Sequence, residues 1–162
     1  MSVIYRVIII DRQKKVKLPK GLRILIRRVC NSVLARENFE GCADISVILV
    51  DNSYIQSLNK QFRNKDCPTD MLSFPAIKDG KYDVNPETGA KILGDIVLSI
   101  EKAREEAEVE NSTVQEKIMF WTAHSLLHLL GYDHEDDPAA LVQMNEIAKD
   151  VVNLVGGTYI RY

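Results

Sequence analysis

Four runs of apolar residues along the chain predict β-strands, at residues 3–10, 45–50, 71–74 and 96–98. The first run is almost wholly apolar and β-branched, which is typical of a strand buried on both faces or at the centre of a sheet. The third run is closed by Pro75, because proline cannot donate the hydrogen bond that a continuing strand needs.

Apolar residues recur at helical spacing in five further segments, which predicts five helices. Each segment begins at a residue suited to a helix N-terminus: Pro19, Asp51 or Asn52, Ser99, the overlapping capping boxes at Ser112 and Thr113, and Pro138. The fourth helix is apolar nearly all round, so we expect it to be buried at the centre of the protein.

The order of these elements predicts an α+β fold. We expect a single domain over residues 1–162, with a mixed four-stranded sheet, about five helices and a buried central helix. Residues 78–91 contain Gly80, Pro86 and Gly89 among polar residues and predict a loop, long enough for a flap or binding loop. Residues 93–96 predict a further turn, in which Asp95 either stabilises the backbone or supports a site.

The composition is ordinary for a globular protein, with 46% hydrophobic and 27% charged residues and a net charge of −2. Three widely spaced cysteines without a CxxC pair favour free thiols in a reducing compartment. Neither a signal peptide nor an apolar stretch long enough to span a bilayer is recognisable. We therefore predict a cytoplasmic protein with no membrane partner.

The distribution of charge is more informative than its sum. Eight basic residues and one acidic residue lie between Asp11 and Cys30. Such a segment could follow a phosphate backbone, although a solvated helix face is the simpler explanation. The candidate RNA-binding residues are Lys14, Lys15, Lys17, Arg23 and Arg27.

All three histidines lie within eleven residues, in the segment that begins at His124. His124 and His128 are four apart and therefore share one face of the predicted central helix. Gly131 ends that helix, so that His134 can fold back toward them. Three imidazoles with one coordination position left open suit a catalytic metal, with Zn²⁺ the first choice and nickel, copper or iron also accepted.

The residues around these histidines limit the chemistry. In the HExxH motif of metalloproteases a glutamate follows the first histidine as general base, whereas here Ser125 occupies that position. A hydroxyl cannot take a proton from water at neutral pH, which disfavours that mechanism. Asp133 and Glu135 flank His134, and either could orient a ligand or simply face solvent. Asp133 and Ser125 are the candidates for ligand orientation or proton transfer.

A second marked stretch surrounds Arg63, at the end of the second predicted helix. Arg63 suits either a helix C-terminus or a phosphate, to which its planar guanidinium can donate two hydrogen bonds. Asp66 and Asp70, on either side of Pro68, can stabilise a tight turn that leads into the third strand.

Three motifs in this order, PTDMLSFP (68–75), LGDIV (93–97) and HSLLHLLGYDH (124–134), resemble those of the YbeY family of zinc-dependent endoribonucleases. The resemblance covers nearly the whole chain. It implies one zinc ion on His124, His128 and His134, an essential Arg63, and single-stranded RNA as substrate. It also implies roles in maturation of the small-subunit ribosomal RNA 3′ end and in ribosome quality control, with ribosomal components as partners.

Two residues depart from the family pattern, Phe62 in place of tyrosine and Ser125 in place of glycine. The resulting hypothesis is a metal-dependent endoribonuclease with Arg63 and His124 as catalytic residues. Two alternatives stay open, a metal-dependent amidase or peptidase-like hydrolase, and a non-catalytic RNA-binding assembly factor with structural zinc.

Overall fold

The computed structural model describes the backbone of residues 3–160 and the side chains of residues 3–156. Within this part the chain forms five helices, a four-stranded sheet and a small two-stranded hairpin. In chain order they are β1 (Tyr5–Asp11), α1 (Leu22–Arg36), β2 (Ala43–Val50), α2 (Asn52–Arg63), β3 (Met71–Pro75), β4 (Ile77–Lys78), β5 (Lys81–Tyr82), β6 (Lys91–Ser99), α3 (Ile100–Glu110), α4 (Val114–Leu129) and α5 (Pro138–Ile160).

The main sheet has the strand order β1-β2-β6-β3. The β1–β2 and β2–β6 pairs are parallel, and β3 runs antiparallel to β6, so the predicted mixed sheet and the α+β class are confirmed. The larger core packs α1, α3, α4 and α5 on one face. A smaller cluster of Val50, Ile55, Leu72 and Val97 packs α2 on the other face, over β6 and β3.

Helix α4 is the buried central helix that the sequence predicts. Ten of its sixteen residues are buried, and it contacts α1, α3, α5, β3 and β6. The predicted N-caps are also found: the side chains of Asp51, Ser99 and Thr113 accept hydrogen bonds from the backbone N–H groups of Tyr54, Lys102 and Glu116. None of the helices in the described residues is long and apolar enough to cross a membrane.

Several predictions of local structure are wrong. The apolar strand near the N-terminus is not central but lies at the sheet edge, and Ile8 is 41% exposed because α2 does not reach over it. The first helix begins at Leu22 rather than Pro19. The predicted loop at residues 78–91 starts within the β4–β5 hairpin, while residues 83–90 form the expected loop. The predicted turn at residues 93–96 is a bulge within β6, where Gly94 has φ +135° and lies against the Phe74 carbonyl.

Candidate metal centre and active site

The three histidines converge on one point beside the sheet. One ring nitrogen of each lies within 4.8 Å of the others, and the Nε2 atoms of His124 and His134 are 3.4 Å apart. The ring centroids are 5.0–5.3 Å apart. Zinc–nitrogen bonds of about 2.05 Å at tetrahedral angles place two ligand nitrogens about 3.3 Å apart, so this spacing fits a shared tetrahedral ion.

The end of α4 brings His134 back to the helix. The N–H groups of Gly131 and Tyr132 donate to the carbonyls of His128 and Leu127, which closes the last turn around Gly131 at φ +104°. Glycine adopts this conformation without the steric cost that a side chain brings. The predicted helix break at Gly131 is therefore what turns His134 toward the two helical imidazoles.

A chain of hydrogen bonds fixes the ring of His128. Its Nδ1 donates to the Tyr132 carbonyl at 3.0 Å, which leaves the Nε2 lone pair free for a metal. The Tyr132 hydroxyl donates in turn to Glu37 at 2.5 Å, at the end of α1. The Tyr82 hydroxyl holds the same helix end from the hairpin, donating to the Leu129 carbonyl at 2.6 Å.

The surroundings of His124 and His128 favour the neutral imidazole, the form that binds a metal. Burial, with smaller contributions from His128 and His134, lowers the pKa of His124 from its ordinary 6.5 to about 4. Burial and the neighbouring His134 also lower the pKa of His128. His124 is only 4% exposed, so its protonated form would be a buried cation.

This pKa shift predicts an acid-sensitive metal-free protein. Between pH 6.5 and 4 the unfolded chain binds a proton at His124 that the folded chain does not, so acidification favours unfolding. We expect the free energy of unfolding to fall by about 2 kcal/mol from pH 7 to pH 5, measured by urea titration after chelation. His124→Gln should lose that part of the pH dependence, and equal dependence in both proteins would contradict the prediction.

Arg63 is the last residue of α2 and is exposed. Its positive charge lies within range of His128 and helps to lower the pKa of that imidazole, after the larger effects of burial and His134. The adjacent Phe62 is 58% exposed and packs edge-on against Phe74, with ring centroids 5.2 Å apart. An accessible guanidinium thus stands beside the imidazole cluster.

Ser125 and Asp133 have different surroundings. Ser125 is fully buried, and its hydroxyl donates to the Met71 sulfur at 3.1 Å, a contact that packs α4 against β3. Asp133 is exposed, accepts a hydrogen bond from the Glu135 N–H, and its charge raises the pKa of His128. Of the two, only Asp133 combines solvent access with proximity to the cluster.

Three residues near the centre were missed or only partly recognised in the sequence. Asp70 does stabilise the predicted turn, because its carboxylate accepts a hydrogen bond from the Met71 N–H at 2.7 Å. Its negative charge also raises the pKa of His124, against the larger effect of burial. Tyr82 and Glu37 support the centre from distant parts of the chain. No local pattern marks these two, because their partners lie 47 and 95 residues away.

The basic candidates lie on the segment after the edge strand β1 and on α1. Lys14, Lys15 and Lys17 follow β1, and Lys15 is within 3.7 Å of Glu101. Arg23 donates to the Ile9 carbonyl of the same strand, and Arg27 is exposed one turn later on α1. None of the five belongs to the histidine cluster.

The hydrogen-bond chain predicts that Tyr132 supports the metal centre without touching the ion. We expect Tyr132→Phe to weaken metal binding about tenfold, as other partners that orient a ligand from outside do, with the fold retained. Competition with a chelating indicator measures the affinity. Tyr54→Phe, an exposed tyrosine on α2, is the matched control. An unchanged affinity in Tyr132→Phe would show that the hydroxyl does not contribute.

An α+β fold with three convergent imidazoles and an accessible arginine beside them defines a candidate metallohydrolase. The family model described as "Endoribonuclease YbeY" matches residues 8–156. Relatives named "Endoribonuclease YbeY" are 38% identical over 148 residues in Carboxydothermus hydrogenoformans (91% of this chain, 96% of the relative) and 36% identical over 147 residues in Alkaliphilus oremlandii (90% and 95%).

A protein of Thermotoga maritima solved in solution has a similar fold, with a TM-score of 0.62 and 29% identity over 97% of this chain and 92% of that one. The chain belongs to the YbeY endoribonuclease family. The resemblance that the three motifs predict is thereby confirmed.

Proposed function

We propose that this chain is a metal-dependent endoribonuclease that cleaves single-stranded RNA in ribosomal RNA processing. Its substrates would include the 3′ end of the small-subunit RNA and the RNA of defective ribosomes. The observation that carries the proposal is the convergence of His124, His128 and His134 next to Arg63. Membership of a family whose members are named endoribonucleases supports it.

Zinc is the metal that suits the three imidazoles best. Neutral imidazoles at tetrahedral spacing, with no fourth ligand group gathered there among the described residues, favour an ion that keeps one position open. A bound zinc ion supplies Lewis-acid polarisation of a phosphoryl oxygen. Elemental analysis of protein purified without added metal tests the assignment, and iron or nickel in place of zinc would overturn it.

Three side chains around the centre have different roles in the proposed reaction. The guanidinium of Arg63 donates two parallel hydrogen bonds to the scissile phosphate and stabilises the charge that builds up during cleavage. Asp133 is the exposed carboxylate placed to transfer a proton. Ser125 acts by position, since its hydroxyl holds α4 against Met71 and thereby places His124.

The basic residues after β1 and on α1 bind RNA beyond the cleaved bond. Lys14, Lys15, Lys17, Arg23 and Arg27 are exposed, and a phosphate backbone extending beyond the active site could reach them. Ribosomal proteins are the proposed protein partners, and the cytoplasm, where ribosomes are assembled, is the proposed location.

Cleavage of ribosomal RNA fragments tests this function. We expect the metal-loaded protein to cut single-stranded RNA, to spare the same sequence in a duplex, and to lose activity with a chelator. The relatives' names do not favour an amidase or a non-catalytic RNA-binding protein. Intact RNA after incubation with metal-loaded protein that binds it would support the non-catalytic alternative instead.

A further inference from the structure

A cavity of about 680 Å³ lies between α4 and α5, outside the histidine cluster. Leu25, Met119, Phe120 and Val152 form its apolar wall, while Glu110 of α3, Glu116 and Lys117 of α4, and Lys149 and Asn153 of α5 also line it. This volume lies within the range of small-molecule binding sites. Nothing described so far for the active site makes use of it.

The cavity continues the active site along the two helices. The Asn145 side chain of α5 interacts with His124 of α4. One helical turn further on each helix, Lys149 and Phe120 both line the cavity. Because residue numbers rise along α5 while they fall along α4, the two helices run antiparallel here. The cavity therefore begins one helical turn, about 5 Å, from the level of His124 along α4.

Phe120 connects the two sites. Its ring stacks on His124, with centroids 6.4 Å apart and an angle of 26° between the planes, and it also forms part of the cavity wall. Phe120 is only half-buried, so part of the ring remains accessible. A flat aromatic wall beside a cleavage site suits a flat aromatic ligand, because stacked rings gain energy beyond the area that they bury.

The charged groups around the cavity differ in their partners within the described residues. Lys117 is bound by Glu106 and Glu110, whereas Lys149 is exposed and forms no ion pair there. A phosphate at the rim of the cavity can pair with the Lys149 ammonium.

We propose that this cavity binds one nucleobase of the RNA substrate, next to the cleaved bond. The base stacks on Phe120, and the adjoining phosphate approaches Lys149. The proposal rests on the proposed function, since it supplies that function with a base-binding subsite. Proteins that select single-stranded RNA commonly splay out a base and stack it on an aromatic side chain, and a duplex cannot offer its bases in this way.

An abasic scan tests the subsite. A short single-stranded RNA carries a stable abasic ribose at each position in turn, and its affinity for metal-loaded protein is measured by fluorescence anisotropy. We expect one position to weaken binding about tenfold, as the loss of a stacked base does. In Phe120→Leu the intact RNA should bind about as weakly, and the abasic position should then have little further effect.

Two further variants separate the subsite from folding and from the metal. Phe39→Leu removes another half-buried ring, one that packs on Tyr5 outside the cavity, and should leave the scan unchanged. Asn153→Trp, at an exposed position, should fill the cavity and weaken binding even if Phe120→Leu does not fold. Metal content should remain one ion per chain in each folded variant.

The outcomes distinguish the two proposals. If wild-type protein cleaves RNA but binds every abasic RNA with the same affinity, the subsite would be overturned and the proposed function would be retained. A position-dependent scan without any cleavage would support the subsite and overturn the proposed function. An abasic effect of equal size in wild type and Asn153→Trp would place the base elsewhere and overturn the cavity assignment.

Discussion

His134→Ala should lower kcat/KM for single-stranded RNA about a thousandfold or more and leave the purified protein without stoichiometric metal. Losing one of three ligands removes the ion, whose stabilisation of transition-state charge is worth several kcal/mol. His134 is the best ligand to replace, because it lies in the segment after α4 and is only half-buried. The buried His124 would leave a cavity in the core as well.

Glu135→Ala is the matched control for this experiment. It changes the exposed neighbour of His134 and should keep both metal and activity. Circular dichroism and thermal unfolding of the chelated proteins should show that both variants fold. Full activity in metal-free His134→Ala would contradict the role of the metal, and full metal occupancy would contradict the role of His134.

Arg63→Ala should lower kcat/KM about a hundredfold or more, with metal content and stability unchanged. Removal of one group that stabilises developing charge costs about two to three orders of magnitude in rate in comparable active sites. The side chain is exposed, so its removal leaves no cavity in the core. Arg63→Lys should recover only part of the loss, because an ammonium cannot donate the paired hydrogen bonds of a guanidinium.

Lys60→Ala is the corresponding control on the same helix. Lys60 is exposed, lies in the last turn of α2 and is within 3.7 Å of Asp66. It carries the same charge as Arg63, and its ion pair at the surface contributes little to stability. Equal losses in the two variants would show that general positive charge, rather than the position of Arg63, supports cleavage.

The sequence was sufficient to predict the cluster of three histidines because its signals are local. The four-residue spacing places His124 and His128 on one helix face, and Gly131 permits the turn that returns His134. All of this occurs within eleven consecutive residues, where backbone geometry alone fixes the relative positions. The buried character of α4 followed in the same way from apolar residues on all sides.

The hydrogen bonds that reach this segment from distant parts of the chain could not be predicted from local sequence. Glu37 reaches Tyr132 across 95 residues, and Tyr82 reaches Leu129 across 47. Which polar side chain meets which depends on how α1 and the hairpin pack around α4. The same applies to β1, whose apolar sequence suits a central strand although the sheet order places it at an edge. The composition of a strand indicates how much apolar surface it can bury, but the tertiary fold decides which elements cover that surface.

The sequence alone therefore determined the helices, the class of fold and the three imidazoles, since each depends on periodicity or on neighbouring residues. Only the tertiary structure brought the charge of Arg63 within range of His128, paired Lys15 with Glu101, and opened a cavity beside Phe120. These relations join residues far apart in the chain. Long-range packing sets them, and packing is decided by the whole core rather than by any one segment.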